Sequence, residues 1–256
     1  MTDLLLEIRE LSRSFGGLKA VNDVSFTVRA GAIKSVIGPN GAGKTTLFNL
    51  ISGMLACDSG IVVQNGQDIT GLQPHRIAEL GISRTFQTTK LFSRMTVLEN
   101  VMVGRHTRTK AGFLSGVLNL PWTWKEEREI RERSMELLDA LGLADAAGEL
   151  ASNLPFGRQR LLEIARALAT EPSLLMLDEP AAGLNIYETR EMADLVLKIR
   201  GWGVTVLLVE HDMSLVMDIS DQIVVLNYGR KVAEGEPSDI QRDPEVIRIY
   251  LGGGHA

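Results

Sequence analysis

Three short stretches of the chain carry residue types suited to phosphate chemistry. Gly38-Pro39-Asn40-Gly41-Ala42-Gly43-Lys44-Thr45 fits the pattern G-x-x-x-x-G-K-[ST], followed by Thr46. Glycines let a backbone curl until successive amides point at phosphate oxygens, and a helix that starts at the loop adds its positive dipole end. Lys44 is expected to reach the β and γ phosphates, and the Thr45 hydroxyl to ligate Mg²⁺. The apolar run Leu174 to Leu177 ends in Asp178 and Glu179. Asp178 is expected to hold the metal, directly or through water, and Glu179 to polarise an attacking water as general base. The blander reading of two acids after a strand is a helix N-cap. A second apolar run, Val204 to Val209, ends in Glu210 and His211. His211 is expected to contact the γ phosphate and help hold Glu179 and water in place. In a parallel sheet the carboxyl ends of strands line one crevice, so three such ends can converge.

The surrounding chain supplies elements to position these groups. Ile33 to Ile37 reads as a strand running into the glycine loop, and Thr46 to Ile51 as a helix. The apolar runs at 174–177 and 204–209, the second broken only by Thr205, suit strands covered on both faces. Upstream, Val24, Phe26 and Val28 alternate with Ser25 and Thr27, the period of a half-buried strand. Ile61 to Val63 and Ile82 to Phe86 read as further strands. Thr96 to Val103 is helical, with Glu99 three residues after Thr96 as a capping box. Lys125 to Leu141 is a second amphipathic helix, with Met135, Leu138 and Leu141 on one face. Ile223 to Leu226 leads through a Tyr228-Gly229 turn to Lys231 to Ala233, and Pro244 to Leu251 closes the pattern as a helix. A helical stretch from about 90 to 165 is thus inserted between strand-rich parts.

Composition narrows the class. The chain has 256 residues, a formal net charge of -5 and 45% hydrophobic residues. It is long enough for a sizeable core. The single cysteine, Cys57, cannot form an internal disulfide, which points to a reducing compartment. The acidic balance disfavours a nucleic-acid partner. Met1-Thr2-Asp3 begins with an acid rather than a basic run, so no secretory leader is expected. Mean hydropathy is +0.06, yet no apolar stretch reaches the roughly 20 residues that span a bilayer.

With these residues in place, the chain resembles the ATP-binding subunits of ABC transporters over essentially its whole length. Gln87 in Thr85-Phe86-Gln87 is similar to the family's glutamine-loop residue, which touches Mg²⁺ and faces the transmembrane partner. Pro155, Phe156, Gly157, Arg158 and Gln159 resemble the signature that opens a helix and acts in trans. Gly183, Leu184 and Asn185 match the loop that crosses the dimer interface. Glu210-His211-Asp212 matches the switch histidine. Phe15 stands where the family places an aromatic ring on adenine. The signature departs from the usual Leu-Ser-Gly-Gly-Gln: Pro155 replaces the serine, Phe156 the first glycine and Arg158 the glutamine. Asn185 stands where aspartate is commoner.

The resemblance implies an α/β fold: a P-loop NTPase with a mostly parallel core sheet, an N-terminal antiparallel β subdomain and an inserted helical subdomain. As one ABC ATPase domain over 1–256, it would divide into 1–89 with 166–256, and a helical signature subdomain at 90–165. The atypical signature, Ala-Ala-Gly-Leu-Asn after the acidic pair, the insertion from Gly104 to Trp124 and the tail Pro-Glu-Val-Ile-Arg-Ile-Tyr-Leu-Gly resemble branched-chain amino acid importers, specifically the longer of their two paired ATPase subunits. Expected cofactors are ATP and Mg²⁺. Expected partners are a second ATPase subunit, as homodimer or heterodimer, two transmembrane permease subunits and, indirectly, a periplasmic substrate-binding protein. The implied location is peripheral, at the cytoplasmic face of the inner membrane. Urea, amides or other amino acids are alternative cargoes, and a soluble non-transport ATPase is a further alternative. Ser115, Trp122 and Trp124 are candidates for the docking surface, with core packing as the competing reading.

Overall fold

The computed structural model describes residues 4–85, 91–105 and 121–251, the last range without side chains for 121–125 and 251. The chain divides into two compact units. One comprises Met1–Arg84 with Ser173–Ala256, the other Thr85–Pro172.

The first unit holds two sheets. A six-stranded sheet runs in the order β10-β9-β3-β8-β7-β6. Its members are β3 (Ile33–Ile37), β6 (Ile82–Arg84), β7 (Leu174–Asp178), β8 (Thr205–Val209), β9 (Gln222–Asn227) and β10 (Arg230–Gly235). All pairings are parallel except β9 with β10. Every residue of β3, β7 and β8 is buried, as the apolar runs of β7 and β8 require when both faces of a sheet are covered; β3 buries Lys34 and Ser35 as well. The second sheet is antiparallel, in the order β2-β1-β4-β5, built from β1 (Leu4–Phe15), β2 (Leu18–Arg29), β4 (Ser59–Gln64) and β5 (Gln67–Asp68). Val24, Phe26 and Val28 are buried on β2, so the alternation in sequence marks its inner face. They join Leu47, Phe48 and Ile51 of α1 (Lys44–Ile51) in one core with Met176, Leu207 and Val224 of the large sheet. Buried apolar surface of this kind contributes about 25 cal/mol per Å².

Strands β6 and β7 are neighbours in parallel register, Ile82 beside Leu174, and Ser173 and Leu174 both donate backbone N–H groups to the Gly81 carbonyl. The chain between them forms the second unit. α2 (Pro74–Glu79) precedes β6 in the first unit.

The second unit is helical, with α3 (Val97–Arg105), α4 (Pro121–Ala140) and α5 (Phe156–Leu168). The capping box read from Thr96 and Glu99 is present. The Thr96 N–H donates to Glu99 Oε2 at 2.7 Å, and the Glu99 N–H to Thr96 Oγ1 at 3.1 Å. At Gly104 an added Cβ would lie 2.2 Å from the Arg166 carbonyl oxygen, so α3 and α5 approach closely only because a glycine stands there. Leu138 and Leu141 are buried and Met135 is partly exposed. The helix read over 125–141 starts earlier, at Pro121, a residue suited to a first turn. The division expected at 165/166 would cut α5, which runs unbroken to Leu168; the chain passes back to the first unit at Ser173.

Downstream of β7 lie α6 (Ile186–Gly201), α7 (Met213–Ile219), α8 (Pro237–Arg242) and α9 (Pro244–Leu251). Among the described residues, no helix is long and apolar enough to cross a membrane.

Candidate functional site

Sheet register brings the candidate residues to one level. Val36 pairs with Val209, and Val209 pairs with Asp178, so one row crosses β3, β8 and β7 at their carboxyl ends. The chain leaves this row into the glycine loop, into Glu179 and into Glu210-His211. Short buried strands of equal length thus do the positioning that the chemistry needs.

The glycine loop owes its shape to positions where a side chain cannot fit. Gly38 has φ of 152°, and a Cβ there would meet the Leu226 carbonyl oxygen at 2.2 Å. Gly43 has φ of 104°, and its Cβ would sit 2.2 Å from the Ala20 carbonyl oxygen. The Gly229 N–H donates to the Ala42 carbonyl at 2.9 Å and bolts the β9–β10 turn onto the loop. Helix α1 then begins at Lys44 with Gly43 as N-cap and no side-chain cap, leaving its first amides for another acceptor. Lys44 folds back, and its Nζ donates to the carbonyls of Gly38 at 2.6 Å and Pro39 at 3.1 Å. Burial pushes the Lys44 amine below its ordinary value, and the Glu179 and Asp178 carboxylates oppose that shift. Those carboxylates are therefore within electrostatic reach of the loop lysine. Asn40, Gly41 and Thr45 are exposed, while Ala42 is buried; Pro39 and Thr46 are half-buried.

Asp178 closes β7 and is buried. Its Oδ2 accepts from Arg84 at 2.8 Å, and the same guanidinium donates to Asn49 Oδ1 on α1 and to Oγ of Ser52, the helix's C-cap, while lying over the Phe48 ring. Glu179 adopts a left-handed backbone, φ 49°, which costs a non-glycine residue about 1 kcal/mol or more. Its N–H donates to the Val209 carbonyl at 2.9 Å, and its carbonyl accepts from Ala182 at 3.1 Å. The two acids do not cap the next helix. That task falls to Asn185, whose side chain accepts from the N–H groups of Tyr187 and Glu188, while Glu188 Oε2 accepts from the Asn185 N–H. His211 is exposed, with Nδ1 4.0 Å from Glu179 Oε2 and 3.6 Å from Glu210 Oε2. Asp212 caps α7 by accepting from Ser214 and Leu215.

The remaining candidates fall elsewhere. Phe15, at the end of β1, is exposed with Arg13 over its ring. Asp58 anchors this corner, accepting from Arg13 and from the Ser14 N–H. In the second unit, Pro155 is the N-cap of α5, and no side chain caps that helix start. Phe156 is exposed over Arg160, Gln159 donates to the Leu154 carbonyl, and Arg158 donates to the Gly142 carbonyl and pairs with Asp145. Gly157 lies in the first turn of α5. Gly183 and Leu184 lie in the turn before Asn185. Gln87 lies outside the described residues, as do Phe86 and Ser115; Trp122 and Trp124 fall in α4, without described side chains.

Among the described residues, no three of His, Cys, Asp and Glu come together as a metal cage. An exposed threonine hydroxyl and one carboxylate are hard oxygen donors. They fit a Mg²⁺ ion that draws its remaining ligands from phosphate and water.

The family model described as ABC transporter matches residues 21–182, from β2 through the acidic pair. This chain belongs to the ABC transporter family. A second model, branched-chain amino acid ATP-binding cassette transporter, matches residues 230–256 of this family member. Curated ABC relatives include the high-affinity branched-chain amino acid transport ATP-binding protein LivG of Salmonella typhimurium, 47% identical over 98% of this chain and 99% of its own length. BraF of Pseudomonas aeruginosa, described in the same words, is 46% identical over the same shares. Among solved structures, the ADP conformation of an ATP-binding cassette of an ABC transporter is 35% identical and superposes with a TM-score of 0.85, covering 98% of this chain and 100% of its own. The α/β architecture expected from sequence is that of ABC cassettes.

The sequence expectations leave out Arg84 and the role of Glu210, and they place Asn185 in the dimer loop without its capping role. Arg84 stands inside a run read only as a strand, and no acid adjoins it in sequence to signal its pairing with Asp178. Asn185 with Glu188 has capping-box spacing. Glu210 was read only as the histidine's neighbour.

Proposed function

We propose that this chain is the ATP-binding and ATP-hydrolysing subunit of an ABC importer that energises uptake of branched-chain amino acids. One observation carries the reading: the glycine loop, Asp178-Glu179 and His211 leave one row of a parallel sheet at its carboxyl edge. The relatives named for branched-chain amino acid transport, matched from end to end, support the cargo.

In this reading the amides of residues 38–46 and the ammonium of Lys44 bind the nucleotide phosphates, and Phe15 stacks on the base. Thr45, Asp178 and Gln87 hold Mg²⁺, which supplies charge neutralisation on the phosphates. Glu179 takes a proton from the attacking water, and His211 orients that water and the γ phosphate. Most of the rate comes from positioning and charge stabilisation. Lys44 fits its task because it is already held among loop carbonyls, within electrostatic reach of two carboxylates.

The site is completed by a second ATPase subunit, a sister chain or another copy. Residues 155–159 of each chain face the nucleotide of the other, with residues 183–185 crossing between them. The missing serine hydroxyl leaves the Gly157 amide and the open start of α5 as the contribution in trans. ATP acts as a ligand that favours the closed pair, and hydrolysis removes that preference. The two units form one ABC ATPase domain, with Thr85–Pro172 as its signature part. It lies at the cytoplasmic face of the membrane beneath two permease subunits, which Gln87 and the insertion contact. A periplasmic binding protein delivers the cargo, and no nucleic acid takes part.

Two measurements test this. Glu179→Gln is expected to keep ATP affinity and accumulate the nucleotide-bound pair, while hydrolysis falls at least about a hundredfold; near-normal turnover removes Glu179 from the role of base. Cells lacking the chain are expected to lose uptake of labelled leucine, isoleucine and valine. Loss confined to urea or amides would overturn the cargo assignment.

A further inference from the structure

Glu210 presents a buried carboxylate whose two oxygens serve two different loops. It is 0% exposed at the end of β8. Its Oε1 accepts from the Ala181 N–H at 2.8 Å, in the loop that follows Glu179. Its Oε2 accepts from the His211 N–H at 3.0 Å, lies 3.5 Å from the Asp212 N–H and stands 3.6 Å from His211 Nδ1. The residue before it, Val209, accepts from the Glu179 N–H. The left-handed Glu179 is thus gripped at its own amide and again two residues on, both times from the end of β8.

We propose that Glu210 is a positioning residue that sets the separation between the Glu179 carboxylate and the His211 imidazole. The proposal rests on the ATPase reading above and deepens it. Helix capping does not account for Glu210, because Asp212 already accepts from the first amides of α7. Burying a carboxylate costs several kcal/mol, so an apolar residue would serve a plain core position better. The amides that line this carboxylate are donors, so the site requires two acceptors on one side chain. Glutamine is isosteric but would turn an NH₂ group against a backbone N–H. Aspartate keeps the charge, yet it is one methylene shorter than the span between the Ala181 and His211 amides demands. Without the tie, the loop holding Glu179 is free to relax from its left-handed conformation, and the 4.0 Å separation from His211 is lost.

The test is steady-state ATP hydrolysis by the assembled importer, with its second ATPase subunit, in which this chain carries Glu210→Gln, Glu210→Asp, His211→Ala, or Glu210→Gln with His211→Ala. A misplacement of this kind predicts that kcat falls about tenfold to a hundredfold in both Glu210 variants, with KM for ATP within about twofold of wild type. The double variant is expected to be slower than His211→Ala by clearly less than the factor Glu210→Gln costs alone, since part of what Glu210 does is to place that imidazole. Full activity in Glu210→Asp would show that charge alone matters and overturn the proposal. So would a kcat within twofold of wild type in Glu210→Gln, losses that multiply in the double variant, or a rise in KM matching the fall in kcat. Should Glu210→Gln fail to fold, Glu210→Asp carries the test by the same split. A wild-type assembly with no ATP hydrolysis would instead defeat the ATPase reading itself, which keeps the two failures distinct.

Discussion

The loops after β3 and β7 leave the same edge of the same sheet and each leads to a helix, but they are built in opposite ways. After β3 the helix starts at Lys44, past the glycine loop, with a glycine N-cap and no side chain on its first amides. After β7 a loop of nearly the same length leads to Ile186, and Asn185 with Glu188 closes that helix start in a full capping box. The first loop gets its conformation from glycines, the second from a strained glutamate and a buried carboxylate. An uncapped helix start offers donors to an anion; a capped one offers nothing and lends stability to its own chain. The acids at 178 and 179 are thereby released from capping, and Asn185 does the task usually given to such residues.

Four substitutions separate the two designs. The largest effect is expected at Gly43→Ala, where both φ and the overlap with the Ala20 carbonyl forbid a side chain; a loss of at least about 3 kcal/mol in denaturant unfolding checks it. Normal stability there would mean that the loop is not held by steric exclusion. Next, Lys44→Ala is expected to abolish measurable nucleotide affinity, read by titration with a fluorescent ATP analogue, and an unchanged titration sinks the phosphate-loop reading. Glu179→Gln follows, with its loss of about 2.7 kcal/mol in transition-state stabilisation, equivalent to a hundredfold in rate, and no loss of binding. Asn185→Ala is the smallest, about 1 kcal/mol of stability from the lost cap, read as a shift in the unfolding midpoint. If Asn185→Ala instead left stability untouched and altered only hydrolysis, the capping assignment would give way to a role at the subunit interface.

The parts legible in sequence were those set by local pattern. Apolar runs marked β7 and β8 because both faces of their sheet are covered, and G-x-x-x-x-G-K-[ST] between a strand and a helix marked the phosphate loop. The Thr96–Glu99 box and the helix over Pro244–Leu251 were visible for the same reason. Sequence alone did not reveal long-range pairings. Arg84 meets Asp178 only because β6 lies beside β7, a neighbour relation that depends on strand order rather than on any local period. Glu210 looked like half of a histidine motif until the fold placed Ala181 against it. Strand β6 also ends at Arg84, short of the run read through Phe86, since pairing with β7 reaches only Met176.

That adjacency of β6 and β7 has a consequence for how the molecule assembles. Neighbouring strands lie about 4.8 Å apart, so Thr85–Pro172 departs and returns at almost the same point, as a guest lodged in a host. Closing the host around a longer guest adds only about 0.6 kcal/mol for each doubling of its length. The guest can therefore lengthen or shorten with little effect on host stability, provided its ends still meet at Arg84 and Ser173. During synthesis the host sheet cannot complete its β6–β7 seam until the guest has emerged, so a guest that folds early and holds its own ends together shortens the search for that seam.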